Sequence, residues 1–247
     1  MTRDPASVDT DVAQLPLDLR LRDASRFVEY HAEANRIARD TVESLGCNAG
    51  LSQPQVYLHG PGATGKTHLL QAACHVAHER GDRAAYLPLA ELATAPPAAV
   101  LDGLERAGLV ALDDLAAVVG SPAWDEALFG LLNRLRDAGC RVLLAAPEPP
   151  DDMGATLPDL SSRLGWGPVF RLEPPEEEDL RRILVDRARR RGLEMPDAVA
   201  NYVLRHQRRD VAALLALLER LDLAALAEQR RLTIPFVRDQ LARSAAD

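Results

Sequence analysis

Eight consecutive residues, Gly60-Pro61-Gly62-Ala63-Thr64-Gly65-Lys66-Thr67, fit the spacing G-x-x-x-x-G-K-[ST]. That spacing serves the binding of a polyphosphate. Small residues let the backbone turn so that successive N–H groups face phosphate oxygens. A helix following the loop adds the positive end of its dipole. Lys66 is placed to reach the β- and γ-phosphates, and the Thr67 hydroxyl to hold Mg²⁺. His68 extends the candidate nucleotide-binding residues into that helix. Lys66 is the only lysine among 29 lysines and arginines. A chain that otherwise uses arginine throughout keeps a compact ammonium for this position. A second group, Leu109-Val110-Ala111-Leu112-Asp113-Asp114, is an apolar run ending in two carboxylates. A buried parallel strand of this kind delivers acids to the carboxyl edge of its sheet. There Asp113 would bind Mg²⁺ through water, and Asp114 would polarise or orient an attacking water. Asp-Asp after apolar residues is also a common turn; its weight comes from lying about fifty residues after the phosphate loop.

These groups need a scaffold that brings strand ends together. Strands are expected over 55–58, 84–89, 109–113, 141–146 and 169–172. Helices are expected over 34–45, 66–80, 98–106 and 122–138. The alternation predicts an α/β fold, a doubly wound, five-stranded parallel sheet with helices on both faces. After Pro174-Pro175 the periodicity is helical throughout, over 176–191, 197–206, 211–228 and 235–243, with Thr233 and Pro235 marking the last start. This predicts a nucleotide-binding α/β domain over 23–173 and a small all-α lid over 174–247. Residues 1–22 read as a disordered tail. Within it, leucines alternate in Gln14-Leu15-Pro16-Leu17-Asp18-Leu19. That pattern fits an edge strand, or an extended peptide that inserts Leu15, Leu17 and Leu19 into a partner's apolar groove with Gln14 bonding at its head.

The formal net charge is −8. Residues 1–170 hold 14 basic and 23 acidic groups, and residues 171–247 hold 15 and 14. This balance argues against an autonomous DNA-binding module. The arginine runs Arg181-Arg182 and Arg189-Arg190-Arg191 alternate with acids and read as a solvated, salt-bridged helix face. Three cysteines at unrelated spacings suggest reduced thiols. No signal peptide or membrane span is visible, so a soluble cytoplasmic protein is expected.

The phosphate loop, the Asp113-Asp114 strand end, Leu157-Pro158-Asp159-Leu160-Ser161-Ser162-Arg163-Leu164-Gly165-Trp166-Gly167 and the helical lid together resemble the DnaA clade of AAA+ ATPases. Within that clade the likeness is to the DnaA-related regulators that inactivate the replication initiator. It runs from Gln14 to Leu241 and includes Arg230-Arg231-Leu232-Thr233-Ile234-Pro235-Phe236-Val237. The initiator carries a further DNA-binding domain, whereas this chain stops after the lid, which fits the regulator. The resemblance implies ADP or ATP with Mg²⁺ as cofactors. It implies that Gln14, Leu15, Leu17 and Leu19 form a peptide docking on the DNA polymerase III sliding clamp (β subunit), with Asp18 where the family often has proline. Arg163 matches the arginine finger, which stabilises transition-state charge on a neighbour's γ-phosphate. Phe27, Val28, Asn35 and Ile37 match the region that packs the adenine.

Two departures stand out. Pro147 occupies the usually polar sensor I position after strand four. Ala212 falls where the lid's sensor II arginine is expected, with Arg208 and Arg209 just before it. Weak intrinsic hydrolysis and a nucleotide that mainly holds the lid in place follow. The leading reading is therefore an adaptor, bound to the clamp and to DnaA, that promotes hydrolysis of DnaA's ATP and restrains replication initiation. It has no membrane partner, no strong direct DNA binding, and room for a homodimer. A self-assembling AAA+ ATPase and a DnaA-recruiting initiation factor are the alternatives.

Overall fold

A computed structural model of the chain describes residues 25–48, 54–207 and 210–244. Gln14, Leu15, Leu17 and Leu19 lie outside the described residues, as do Arg208 and Arg209. Five strands, β1 (Gln55–His59), β2 (Ala84–Pro88), β3 (Leu109–Asp113), β4 (Arg141–Ala146) and β5 (Val169–Arg171), form one sheet. Their order is β2-β3-β4-β1-β5, and every neighbouring pair is parallel. Between and before them lie helices α1 (Arg36–Gly46), α2 (Lys66–Glu79), α3 (Leu89–Leu92), α4 (Pro97–Leu101), α5 (Pro122–Asp137) and α6 (Pro158–Leu164).

The interiors of β1, β3 and β4 are apolar and buried because both faces of the sheet are covered there. Val56, Leu58, Leu109, Ala111, Leu143 and Ala145 share one core with Val42 and Leu45 of α1 and Leu69, Leu70 and Ala73 of α2. The alternate residues Tyr57, Val110, Leu112, Val142 and Leu144 share another with Leu128, Leu131 and Leu135 of α5 and Leu160 and Leu164 of α6. Each fully buried leucine stabilises the sheet by roughly 1.5–3 kcal/mol. The helix expected over 98–106 is interrupted. The chain leaves α4 after Leu101, Gly103 turns at φ +74°, and a separate 3-10 turn spans Leu104–Arg106. At the other end, a 3-10 turn at Glu33–Asn35 precedes α1. Helices α3 and α6 are too short for their periodicity to stand out in the sequence.

The second body comprises α7 (Glu177–Arg190), α8 (Asp197–His206), α9 (Val211–Glu228) and α10 (Ile234–Ser244). Its core includes Leu184, Val203, Leu217, Leu221, Phe236 and Val237. Polar residues fix the helix starts. Glu176 and Asp179 form a capping box at α7. Asp210 accepts from Ala213 N at α9 (2.8 Å), and Thr233 Oγ1 accepts from Phe236 N at α10 (3.4 Å). Among the described residues, no helix is long and apolar enough to cross a membrane.

For the site, the decisive feature is strand order. β4 lies between β1 and β3, so the end of β4 separates the loop after β1 from the carboxylates ending β3. All three ends face the same edge because all the strands run parallel.

Candidate nucleotide-binding site

A cavity of about 1120 Å³ lies between this sheet edge, the segment from Ser25 to Ala32, and the lid. Gly62, Ala63, Thr64, Gly65, Lys66, Thr67 and His68 line its floor. Ala63 and Gly65 have φ of +62° and +89°, and such left-handed turns aim backbone N–H groups into a common hollow. At Gly65 a side chain is excluded twice, by this φ and because a Cβ would come within 2.5 Å of Tyr30 Cε2. Helix α2 starts immediately after, so its unpaired first N–H groups and dipole point into the hollow. Lys66 Nζ donates to Gly60 O (2.7 Å) and Pro61 O (2.9 Å). Gly60 and Pro61 thus meet the lysine through their carbonyls and do not themselves line the cavity. Burial lowers the Lys66 pKa, opposed by the charges of Asp113, Asp114 and Glu148. Phosphate oxygens would compete with the two carbonyls for this ammonium.

At the same end, Asp113 is only 1% exposed. Tyr86 Oη donates to its Oδ2 (2.9 Å), Asp114 N donates to its Oδ1 (3.0 Å), and the Thr67 hydroxyl is a further hydrogen-bond partner. Burial pushes the Asp113 pKa up, and these donors pull against it. Asp114 is exposed and left-handed, at φ +55°. The convergence of the Thr67 hydroxyl and the Asp113 carboxylate beside Lys66 fits Mg²⁺, which prefers hard oxygen donors and keeps several waters and phosphate oxygens of its own. Among the described residues there is no cluster of three His, Cys, Asp or Glu side chains able to hold a metal without such help.

The opposite end is built by Glu29, Tyr30, His31 and Ala32 together with the lid. Tyr30 Oη donates to Thr64 O (3.0 Å) and accepts from Asn35 Nδ2 (2.8 Å). Burial pushes the Tyr30 pKa up to about 12. Asn35 sits one layer behind the wall, where it also bonds the backbone of Glu173 in both directions at 2.8 Å. His68 Nε2 lies 2.8 Å from Arg26 O, and burial pushes its pKa down to about 4. The ring is therefore a neutral donor to that carbonyl. The 3-10 turn Phe27–Glu29 points Phe27 into the core and leaves Val28 72% exposed, while Ile37 is 69% exposed. Val28 and Ile37 therefore do not form the cavity wall; residues 29–32 do, because the turn alternates inward and outward positions.

Helix α7 contributes Ile183, Arg187 and Arg190, its C-cap contributes Arg191, and α9 contributes Val211, Ala212 and Leu215. Ala212 lies in the first turn of α9 and presents a methyl group; among the described residues, the lid's cations at the cavity come from α7 and its C-cap. Arg181 and Arg182 pair with Glu178, and Arg189 with Asp186, as a solvated face would. Arg187 and Arg190 differ. Both pair with Glu29, whose side chain is 3% exposed; the Arg187 contact is 2.9 Å. His31 pairs with Asp186 at 2.9 Å. Sequence reasoning missed Glu29, Tyr30, Tyr86, Arg187 and Arg190. A tyrosine in the otherwise apolar β2, paired in register with β3, was the one available signal.

Two residues stand apart from the cavity. Pro147 follows β4 between the loop and the carboxylates; its carbonyl accepts from Gly60 N (3.0 Å), and it offers no side-chain donor. Arg163, near the end of α6, does not line the cavity and stacks its guanidinium 4.2 Å from the Trp166 ring centroid.

The bacterial DnaA ATPase domain model matches residues 24–171, and the model of the lid domain of Hda matches residues 177–241. Among solved structures, domain III of the replication initiation protein DnaA from Thermotoga maritima superposes with a TM-score of 0.77 at 21% identity, covering 88% of this chain and 95% of that one. AMPPCP-bound DnaA from Aquifex aeolicus gives 0.70 at 24% identity, over 83% and 67%. The RuvB Holliday junction branch migration motor of Thermotoga maritima gives 0.65 at 19% identity, over 88% and 73%. At these identities the structural likeness is one of fold.

Proposed function

The chain belongs to the bacterial DnaA ATPase family within the AAA+ proteins, and on that premise we propose that it is an adaptor that stimulates hydrolysis of DnaA-bound ATP. In this reading it binds ADP or ATP in its own cavity, docks on the DNA polymerase sliding clamp through Gln14, Leu15, Leu17 and Leu19, and restrains initiation of replication. The observation that carries the reading is Arg163, a guanidinium placed outside the chain's own cavity and without a carboxylate partner among the described residues.

The residues of this chain divide the work. Gly62 to Thr67 and the α2 N-terminus would hold the phosphates, and Lys66 would exchange its two carbonyl partners for them. Tyr30, held by Asn35, and Ile183 of the lid would enclose the base. Thr67 and Asp113 would hold Mg²⁺, which neutralises phosphate charge when bound. Asp114 is free to orient a water. With Pro147 and Ala212 lacking polar groups, this chain's own hydrolysis is weak, and its nucleotide keeps the lid seated. Arg163 would stabilise charge developing on the γ-phosphate of DnaA's ATP, a contribution of about 10³–10⁵ in rate for such fingers.

The test is hydrolysis of ATP preloaded on DnaA, with clamp-loaded DNA, on adding wild-type protein, Arg163→Ala or Gln14→Ala. Acceleration by the wild type and failure of both variants is expected. No acceleration by the wild type removes the adaptor reading. The complete set Lys66, Thr67, Asp113 and Asp114 favours a second reading, a self-assembling ATPase. It requires concentration-dependent ATP hydrolysis without DnaA that Arg163→Ala abolishes.

A further inference from the structure

The guanidinium of Arg163 sits 4.2 Å from the Trp166 ring centroid and 5.3 Å from that of Phe129. Its Nε is buried and has no hydrogen-bond partner. No carboxylate lies within ion-pair distance of it among the described residues. Arg136 stacks on the same indole at 4.3 Å. Two cations therefore share one aromatic ring, and among the described residues neither has a carboxylate within ion-pair distance.

The backbone that carries the ring is tied to the sheet. Gln55, the first residue of β1 and 6% exposed, donates through Nε2 to both Arg163 O and Leu164 O at 2.8 Å. Gly167 lies so close to the same residue that a Cβ would fall 1.9 Å from Gln55 O. The backbone on either side of Trp166 is thus pinned to the strand that feeds the phosphate loop.

Resting on the finger reading above, we propose that Trp166 is the positioning residue for Arg163, an aromatic platform that holds the guanidinium in place while leaving its charge unspent. A carboxylate would hold an arginine more firmly. It would also have to be stripped away before the arginine met a phosphate, and its charge would repel a triphosphate. An aromatic face attracts the cation through its quadrupole, restricts its rotamers, and leaves the terminal N–H groups of the fork free of a carboxylate. Arg136 on the same ring adds positive potential without competing for an anion.

Two measurements test this. In the DnaA–ATP assay, the protein is titrated as wild type, Trp166→Ala, Trp166→Phe and Arg163→Ala. Trp166→Ala should lower the maximal rate about three- to tenfold at an unchanged half-saturating concentration, the range a lost cation–π contact represents in rate. Trp166→Phe should recover most of it. An unchanged maximum in Trp166→Ala, or a loss confined to the half-saturating concentration, overturns the proposal. The second measurement does not need DnaA. The chain has two tryptophans, and Trp124 is buried in the core, so a change in indole emission between wild type and Arg163→Ala reports on Trp166. Identical spectra overturn the platform. If the wild type fails to stimulate DnaA while the spectra differ, the adaptor reading falls and the platform stands.

Discussion

His68 should make the fold sensitive to mild acid, by an amount that follows from its burial. The imidazole is enclosed against the Arg26 carbonyl and its pKa is pushed from 6.5 to about 4, chiefly by burial, with the bond to that carbonyl opposing and the Arg187 charge lowering it further. Below pH 6.5 the unfolded chain takes up a proton that the folded chain refuses. Stability is therefore lost as the pH falls from 6.5 towards 4 and levels off below. That depression corresponds to roughly 3 kcal/mol across the whole window, of which about 2 kcal/mol is gone by pH 5. His68→Gln supplies a neutral donor to the same carbonyl and has no such proton. Urea unfolding of both proteins at pH 7.5 and pH 5.0 gives the difference directly, because every other titrating group is common to the two. The wild type should lose about 2 kcal/mol more than the variant. Equal losses would refute a buried neutral imidazole at this position.

Glu29→Ala should destabilise the protein by about 2–3 kcal/mol, since it removes the buried carboxylate that both Arg187 and Arg190 pair with, and thermal melting should show lid and core separating. Gly65→Ala forces a side chain into a left-handed turn and against Tyr30; a loss of roughly 1–3 kcal/mol and weaker binding of fluorescent ADP are expected. Asp113→Asn should abolish the gain in nucleotide affinity that Mg²⁺ gives over EDTA. Because the Asp113 pKa is raised, that gain should begin to fade in the wild type at a pH above the ordinary aspartate range, as measured by calorimetric titration.

Much of the fold was legible because it rests on local rules. The phosphate loop must sit between a strand and a helix, and β1 and α2 flank it. The short apolar runs are strands, as a sheet covered on both faces allows, and β4 and α8 match their expected bounds. What local rules could not separate were short or broken elements, where Gly103 splits one helix and α6 offers fewer than two full turns.

At the site, the sequence by itself determined the phosphate end. Loop geometry and charge there are properties of contiguous residues, from Gly60 to Thr67 and from Leu109 to Asp114. The opposite end was decided only by tertiary structure. Whether Val28 or Glu29 faces the cavity depends on one 3-10 turn. Glu29 meets Arg187 and Arg190 only because the lid folds back over the segment before α1. Arg163 and Trp166 are neighbours in the chain, but that no carboxylate among the described residues comes within ion-pair distance of Arg163 is a fact of packing. Charge partners far apart in sequence leave no periodic signal; they exist only when the sheet, the lid and the segment before α1 have set the distances.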